Sequence, residues 1–90
     1  MPKQYTLIYE KAAVKALSGF TPIIQKRLAA KLEFFLSHSD PLVFARELTK
    51  TADAQYRFRV GDYRILFDIV DTKIIIIYIH HRRDAYKKRR

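Results

Sequence analysis

The chain is 90 residues long, 49% apolar and 13% aromatic, with two glycines and three prolines; this suffices for one packed domain and excludes a disordered or low-complexity chain. It has no cysteine, which excludes disulfides and thiolate metal sites and gives no reason to expect an oxidising compartment. Eighteen Lys and Arg against nine Asp and Glu leave a formal net charge of +9, which points to a polyanionic partner: nucleic acid, an acidic protein or an anionic membrane surface.

The opening "MPKQYTLIYEK" has no apolar run of signal-peptide length, and "KIIIIYI" is far too short to span a bilayer, so a soluble, cytoplasmic protein is expected. Residues 4–9, "QYTLIY", are β-branched and aromatic and predict a strand with Tyr5, Leu7 and Tyr9 on one face. The Ala-rich "EKAAVKAL" predicts a short helix over residues 10–17, with Gly19 in the place of a C-cap. Thr21-Pro22 then reads as an N-cap followed by proline at the first helical position. Ile24, Leu28, Leu32 and Phe35 recur at steps of four, four and three, which predicts a helix over residues 22–37. Residues 38–54, "HSDPLVFARELTKTADA", have little periodicity and are expected to form a surface loop with at most a turn of helix. Three strands follow, over residues 55–60, 63–70 and 73–80, joined by two-residue turns at Gly61-Asp62 and Asp71-Thr72. The expected fold is α+β: one β-α-α-β-β-β domain over residues 1–90, with a helical hairpin on one face of a mainly antiparallel four-stranded sheet. Its tail, residues 82–90, is basic, and residues 80–90 hold six Lys and Arg against one Asp.

Two-residue turns set position 60 opposite 63 and position 70 opposite 73. Counting outward puts Tyr56, Phe58, Val60, Tyr63, Ile65, Phe67, Ile69, Ile74, Ile76 and Tyr78 on one apolar face, which should receive the helices. The other face carries Arg57, Arg59, Arg64, Leu66, Asp68, Ile75, Ile77 and Ile79, and His81 would join its cationic end if the last strand ran one residue further. Arg59 then stands directly opposite Arg64, where like charges destabilise a sheet. A solvated face is usually of mixed sign; three arginines on one patch look prepared for an external anion.

The ending "HHRRDAYKKRR" adds two imidazoles, two guanidiniums and a phenol within seven residues. Histidine exchanges protons near neutral pH, arginine holds a phosphate without titrating, and tyrosine donates a proton or stacks on a base. These are the groups needed to break an RNA phosphodiester without a metal when the 2′-hydroxyl is the nucleophile. No metal site and no cofactor are expected. His80 and His81, adjacent in an extended segment, point to opposite faces, and no acidic cluster accompanies them. Ser18, Ser37 and Ser39 lie at helix ends and in loops, without the partners of a nucleophilic triad. Tyr63 and Tyr78 are assigned to the core or its rim, and Tyr86 has the alternative role of pinning the tail to the sheet.

"YRFRVGDYRILFDI", a further strand and "HRRDAY" resemble the RelE branch of the RelE/ParE superfamily of prokaryotic toxin–antitoxin toxins. The resemblance covers nearly the whole chain, and its most specific part is Y-R-x-R-x-G-D-Y-R followed by H-R-x-x-x-Y. It implies a protein that enters the ribosomal A site and cleaves mRNA there by 2′-hydroxyl attack on the adjacent phosphate. It also implies a cognate antitoxin that covers the basic face. On this resemblance Arg64 and Arg82 would hold and stabilise the scissile phosphate, and Tyr86 would stack on or orient the base. Arg57, Arg59, Arg83, Lys87 and Lys88 would contact the RNA. Well-studied RelE toxins carry lysines where this chain has Arg57 and Arg59, and arginine, with a pKa above about 12, is a poor base. The proton therefore falls to His81, with His80 second, and Arg82 and Arg83 stay alternatives for the phosphate. Two other functions fit the same fold: a ParE-like, non-nucleolytic inhibitor of DNA gyrase, and a plain RNA-binding module.

Overall fold

A computed structural model describes residues 4–49 and 53–82. The elements run β1 (Thr6–Tyr9), α1 (Lys11–Ser18), α2 (Pro22–Leu36), a 3-10 turn (Pro41–Phe44), β2 (Ala45–Glu47), β3 (Tyr56–Val60), β4 (Tyr63–Val70) and β5 (Lys73–His81). One sheet has the strand order β1-β5-β4-β3-β2, with β1 parallel to β5 and every other pair antiparallel. Two helices on a mainly antiparallel sheet match the sequence-based expectation, except that the sheet has five strands rather than four. The added strand comes from the stretch expected to be a loop. The Asp40 side chain accepts from the Leu42 N–H at 3.1 Å and starts the 3-10 turn, which delivers Ala45, Arg46 and Glu47 against Phe58, Arg57 and Tyr56. This pairing satisfies backbone groups that β3 would otherwise expose along that edge.

Local chemistry sets the helix boundaries. Thr21 Oγ1 accepts from the Ile24 N–H at 3.3 Å, and Pro22 occupies the first turn of α2, where a missing N–H costs nothing. The same helix buries Leu28, Leu32 and Phe35 against the sheet residues Phe58, Ile65, Phe67, Ile74, Ile76 and Ile79. Phe35 stacks on Phe58 at 4.7 Å between ring centroids, and Phe58 on Phe67 at 4.3 Å. Burying each such side chain contributes about 1.5–3 kcal/mol. Fully buried Ala13 lets α1 approach the sheet closely. No helix among the described residues is long and apolar enough to cross a membrane.

The β3–β4 hairpin has the expected register, with Val60 opposite Tyr63, Arg59 opposite Arg64 and Arg57 opposite Leu66. Gly61 at φ +58° and Asp71 at φ +56° open the two tight turns. Glycine adopts that conformation freely, and Asp is among the few other residues that tolerate it.

β5 departs from the simple count. From Val70↔Lys73 to Phe67↔Ile76 the pairing is regular, but the next pair is Leu66↔Tyr78, so Ile77 is an extra residue and forms a β-bulge. Beyond it every side chain of β5 changes face relative to the regular count. Ile79, expected on the outer face, is buried in the core at 2% exposure; Tyr78, expected in the core, pairs with Leu66 on the outer face. The physical reason lies in the residues after the bulge. A regular strand would expose Ile79 and set Tyr78 opposite fully buried Ile65, losing hydrophobic burial and desolvating a phenol. One extra residue avoids both costs.

Candidate nucleic-acid interface

The outer face of the sheet, opposite the helices, is built in cross-strand rows. Nearest the Gly61-Asp62 turn lie Arg59, Arg64 and His80, and the next row is Arg46, Arg57, Leu66 and Tyr78. Asp68 and Ile75 follow, with Ile8 on β1. The cationic end of the face is therefore real and larger than the sequence predicted: Arg46, carried by the unexpected β2, stands directly beside Arg57. A strand of three residues has no period to read, so nothing in the sequence marks Arg46 for this position.

None of these arginines is fully buried, and they stand close enough to repel one another. The Arg57 guanidinium is held below the ordinary arginine range by partial burial first, then by Arg64, Arg46 and Arg59. Nearby carboxylates are engaged elsewhere. Asp68 Oδ1 accepts from the Gln55 N–H at 2.9 Å, and Gln55 Oε1 accepts from the Ile69 N–H at 2.9 Å; this side-chain exchange pins the start of β3. Glu47 pairs with Tyr56 and so shares the helix-side face.

Of the residues expected to act, Arg57, Arg59 and Arg64 stand together as anticipated. His81 does not join them. The Ile77 bulge turns it to the helix side, where it pairs with Tyr63 and meets that ring edge-on at 4.9 Å; Tyr63 in turn meets Phe20 at 5.1 Å. His80 takes the place foreseen for His81, directly opposite Arg64, with its ring 4.6 Å from that of Tyr78. The sequence could not decide between the two because "KIIIIYIHH" offers isoleucine on both parities of the strand.

Arg82 lies at the end of β5 beside the β3–β4 turn. Its N–H donates to the Asp62 carbonyl, and its Nη1 is 3.9 Å from Asp62 Oδ1, with both side chains 60% exposed. So open and long an ion pair contributes about 0–1 kcal/mol, and a phosphate can replace it at little cost. Arg82 thus borders the Arg59–Arg64–His80 row. Tyr86, Arg83, Lys87 and Lys88 lie outside the described residues.

Such a face can bind a phosphodiester with two or more guanidiniums, accept a proton on an imidazole and stack a planar group on Tyr78. Comparison with known proteins agrees with a toxin. Residues 7–86 match the family model described as ParE toxin of the type II toxin–antitoxin system parDE. Toxin RelG of Mycobacterium tuberculosis is 31% identical over 88 residues, which cover 93% of this chain and 98% of that protein. The toxin–antitoxin complex RelBE2 of M. tuberculosis contains a chain that superposes with a TM-score of 0.70 at 29% identity, covering 89% of this chain and all of that one. In the RelE–RelB complex of Pyrococcus horikoshii the corresponding values are 0.69, 27%, 89% and 97%.

Proposed function

Because the chain belongs to the ParE toxin family, within the RelE/ParE superfamily, and is a toxin of the type II toxin–antitoxin kind, we propose that it is a ribosome-dependent mRNA endonuclease. The observation that carries this reading is the row Arg59, Arg64 and His80: cations for a phosphate and a proton acceptor on one patch. In the proposed reaction the RNA 2′-oxygen attacks the adjacent phosphorus while its proton passes to His80. The P–O5′ bond breaks, leaving a 2′,3′-cyclic phosphate and a 5′-oxygen that takes a proton from solvent. Arg64 and Arg82 stabilise the charge that builds on the phosphoryl oxygens, an effect worth about 10²–10³ in rate per donor removed. Tyr86 orients the base beside the scissile bond. The reaction takes place in the cytoplasm, in the A site of translating ribosomes.

A cognate antitoxin holds the toxin inactive in this proposal, which is supported by related toxins being found in complex with an antitoxin. The outer face suits a segment that is acidic over the two arginine rows and apolar beyond them, where Ile8 and Val70 are 39% and 52% exposed.

Inducing the toxin without an antitoxin tests the proposal. Growth arrest should be accompanied by new mRNA ends phased with codons, and the double change Arg64→Ala with Tyr86→Phe should relieve both. Full toxicity of that double variant would remove the site assignment. The ParE description of the matching family model favours one alternative, a gyrase inhibitor. It predicts DNA damage and no codon-phased RNA ends in the same cells.

A further inference from the structure

The reaction above uses the row nearest the turn, yet the next row is equally built and has no part in it. Arg46 and Arg57 stand side by side on β2 and β3, followed by Leu66 on β4 and Tyr78 on β5. Like charges at directly paired positions cost stability, and here two such pairs, Arg46/Arg57 and Arg59/Arg64, occur in consecutive rows. The row is divided by chemistry: cations at its β2–β3 end, an apolar side chain and a half-buried ring at its β4–β5 end. It lies two residues along each strand from Arg59, Arg64 and His80, a spacing of about 6.6–6.8 Å. The Tyr78 ring is already turned against His80, with centroids 4.6 Å apart and planes inclined at 57°.

We propose that Arg46, Arg57, Leu66 and Tyr78 form a second nucleotide subsite, which holds the phosphodiester next to the one that is cleaved. Arg46 and Arg57 bind its phosphate, and Tyr78, flanked by Leu66, stacks on the attached base. The subsite rests on the reading of RNA as substrate and deepens it. Two phosphate rows at one-nucleotide spacing would fix the register of the strand, so that a single phosphate reaches Arg64 and His80. Base stacking on tyrosine tolerates any sequence, so the subsite would position the message without selecting codons.

The test uses the purified chain and a six-nucleotide RNA with 2′-O-methyl groups throughout, which cannot be cleaved. Its affinity is measured as a function of salt. Each phosphate contact in single-stranded RNA contributes about 0.7 to the slope of log K against log salt. Arg46→Ala should therefore flatten the slope by roughly 0.7–1, and Arg46→Lys, which keeps the charge, should restore it. Tyr78→Leu should weaken binding about 5- to 150-fold at constant slope, because stacking is lost and charge is not. Lys73→Ala, which removes a charge at the far end of β5, should leave the slope unchanged. The subsite is overturned if Arg46→Ala keeps the wild-type slope, if Tyr78→Leu binds as the wild type does, or if the wild-type chain fails to bind the RNA at low salt. Loss of binding to an acidic antitoxin peptide in Arg46→Ala, with the RNA slope intact, also overturns it and assigns the row to a protein partner. Cleavage plays no part in this assay. A flattened slope in a chain that leaves ribosome-bound mRNA intact would refute the nuclease and keep the subsite.

Discussion

Arg59 opposite Arg64, with Arg46 and Arg57 in the adjoining row, sets binding against stability. Directly opposed like charges cost roughly 0.2–1 kcal/mol, and partial burial beside Arg64, Arg46 and Arg59 depresses the Arg57 guanidinium. Arg59→Gln should accordingly stabilise the free chain by about 0.2–1 kcal/mol in a urea titration while it weakens growth arrest. Added salt screens the repulsion, so the stability gap between variant and wild type should close as ionic strength rises. A variant no more stable than the wild type at low salt would show that Arg59 is held by local contacts, such as its Nε–H to the Gly61 carbonyl, rather than opposed by its neighbours. Three of the four arginines could be read from sequence because a two-residue turn at Gly61-Asp62 fixes which residues face one another. Arg46 could not be read, since its partner Arg57 is eleven residues away and its strand is too short to alternate.

Among the elements, β5 decides the chemistry, because its single extra residue determines which histidine shares a face with the arginines. Helix α2 was legible to within a residue from Thr21-Pro22 and the apolar spacing, and β4 was legible in full. Both have a period that matches the face they bury. β5 has isoleucine at positions 74 to 77 and again at 79, so hydrophobicity alone allows either register. The choice is made by long-range packing: Ile79 fills the core while His80 stays beside Arg64. Deleting Ile77 tests this directly. Removing the bulged residue leaves Leu66↔Tyr78, Ile65↔Ile79 and Arg64↔His80 in place, now as a regular ladder. The deletion variant should still unfold cooperatively, losing less than the about 2–5 kcal/mol that truncating a core leucine or isoleucine costs. Loss of cooperative unfolding in the deletion variant would contradict the bulge.

At the scale of the whole molecule, the net charge of +9 and the two arginine rows favour approach to a polyanion, with an on-rate that falls as salt is added. The helices pack on the apolar face of the sheet, and the two arginine rows and His80 lie on the opposite face. In the proposed cleavage His80, rather than His81, accepts the proton, with support from Arg64. This is tested most directly by single-turnover cleavage of mRNA in the A site of purified, programmed ribosomes, followed across pH at saturating toxin. An imidazole base must be neutral to act, so the wild-type rate should fall as pH is lowered. His80→Gln should lose about 10²–10⁴ in rate along with that acid limb, while its affinity for the ribosome changes little. His81→Gln should stay within a few-fold of wild type at every pH. Intact mRNA with the wild-type toxin, or a larger loss and a vanished acid limb in His81→Gln instead of His80→Gln, would rule out cleavage with His80 as the base.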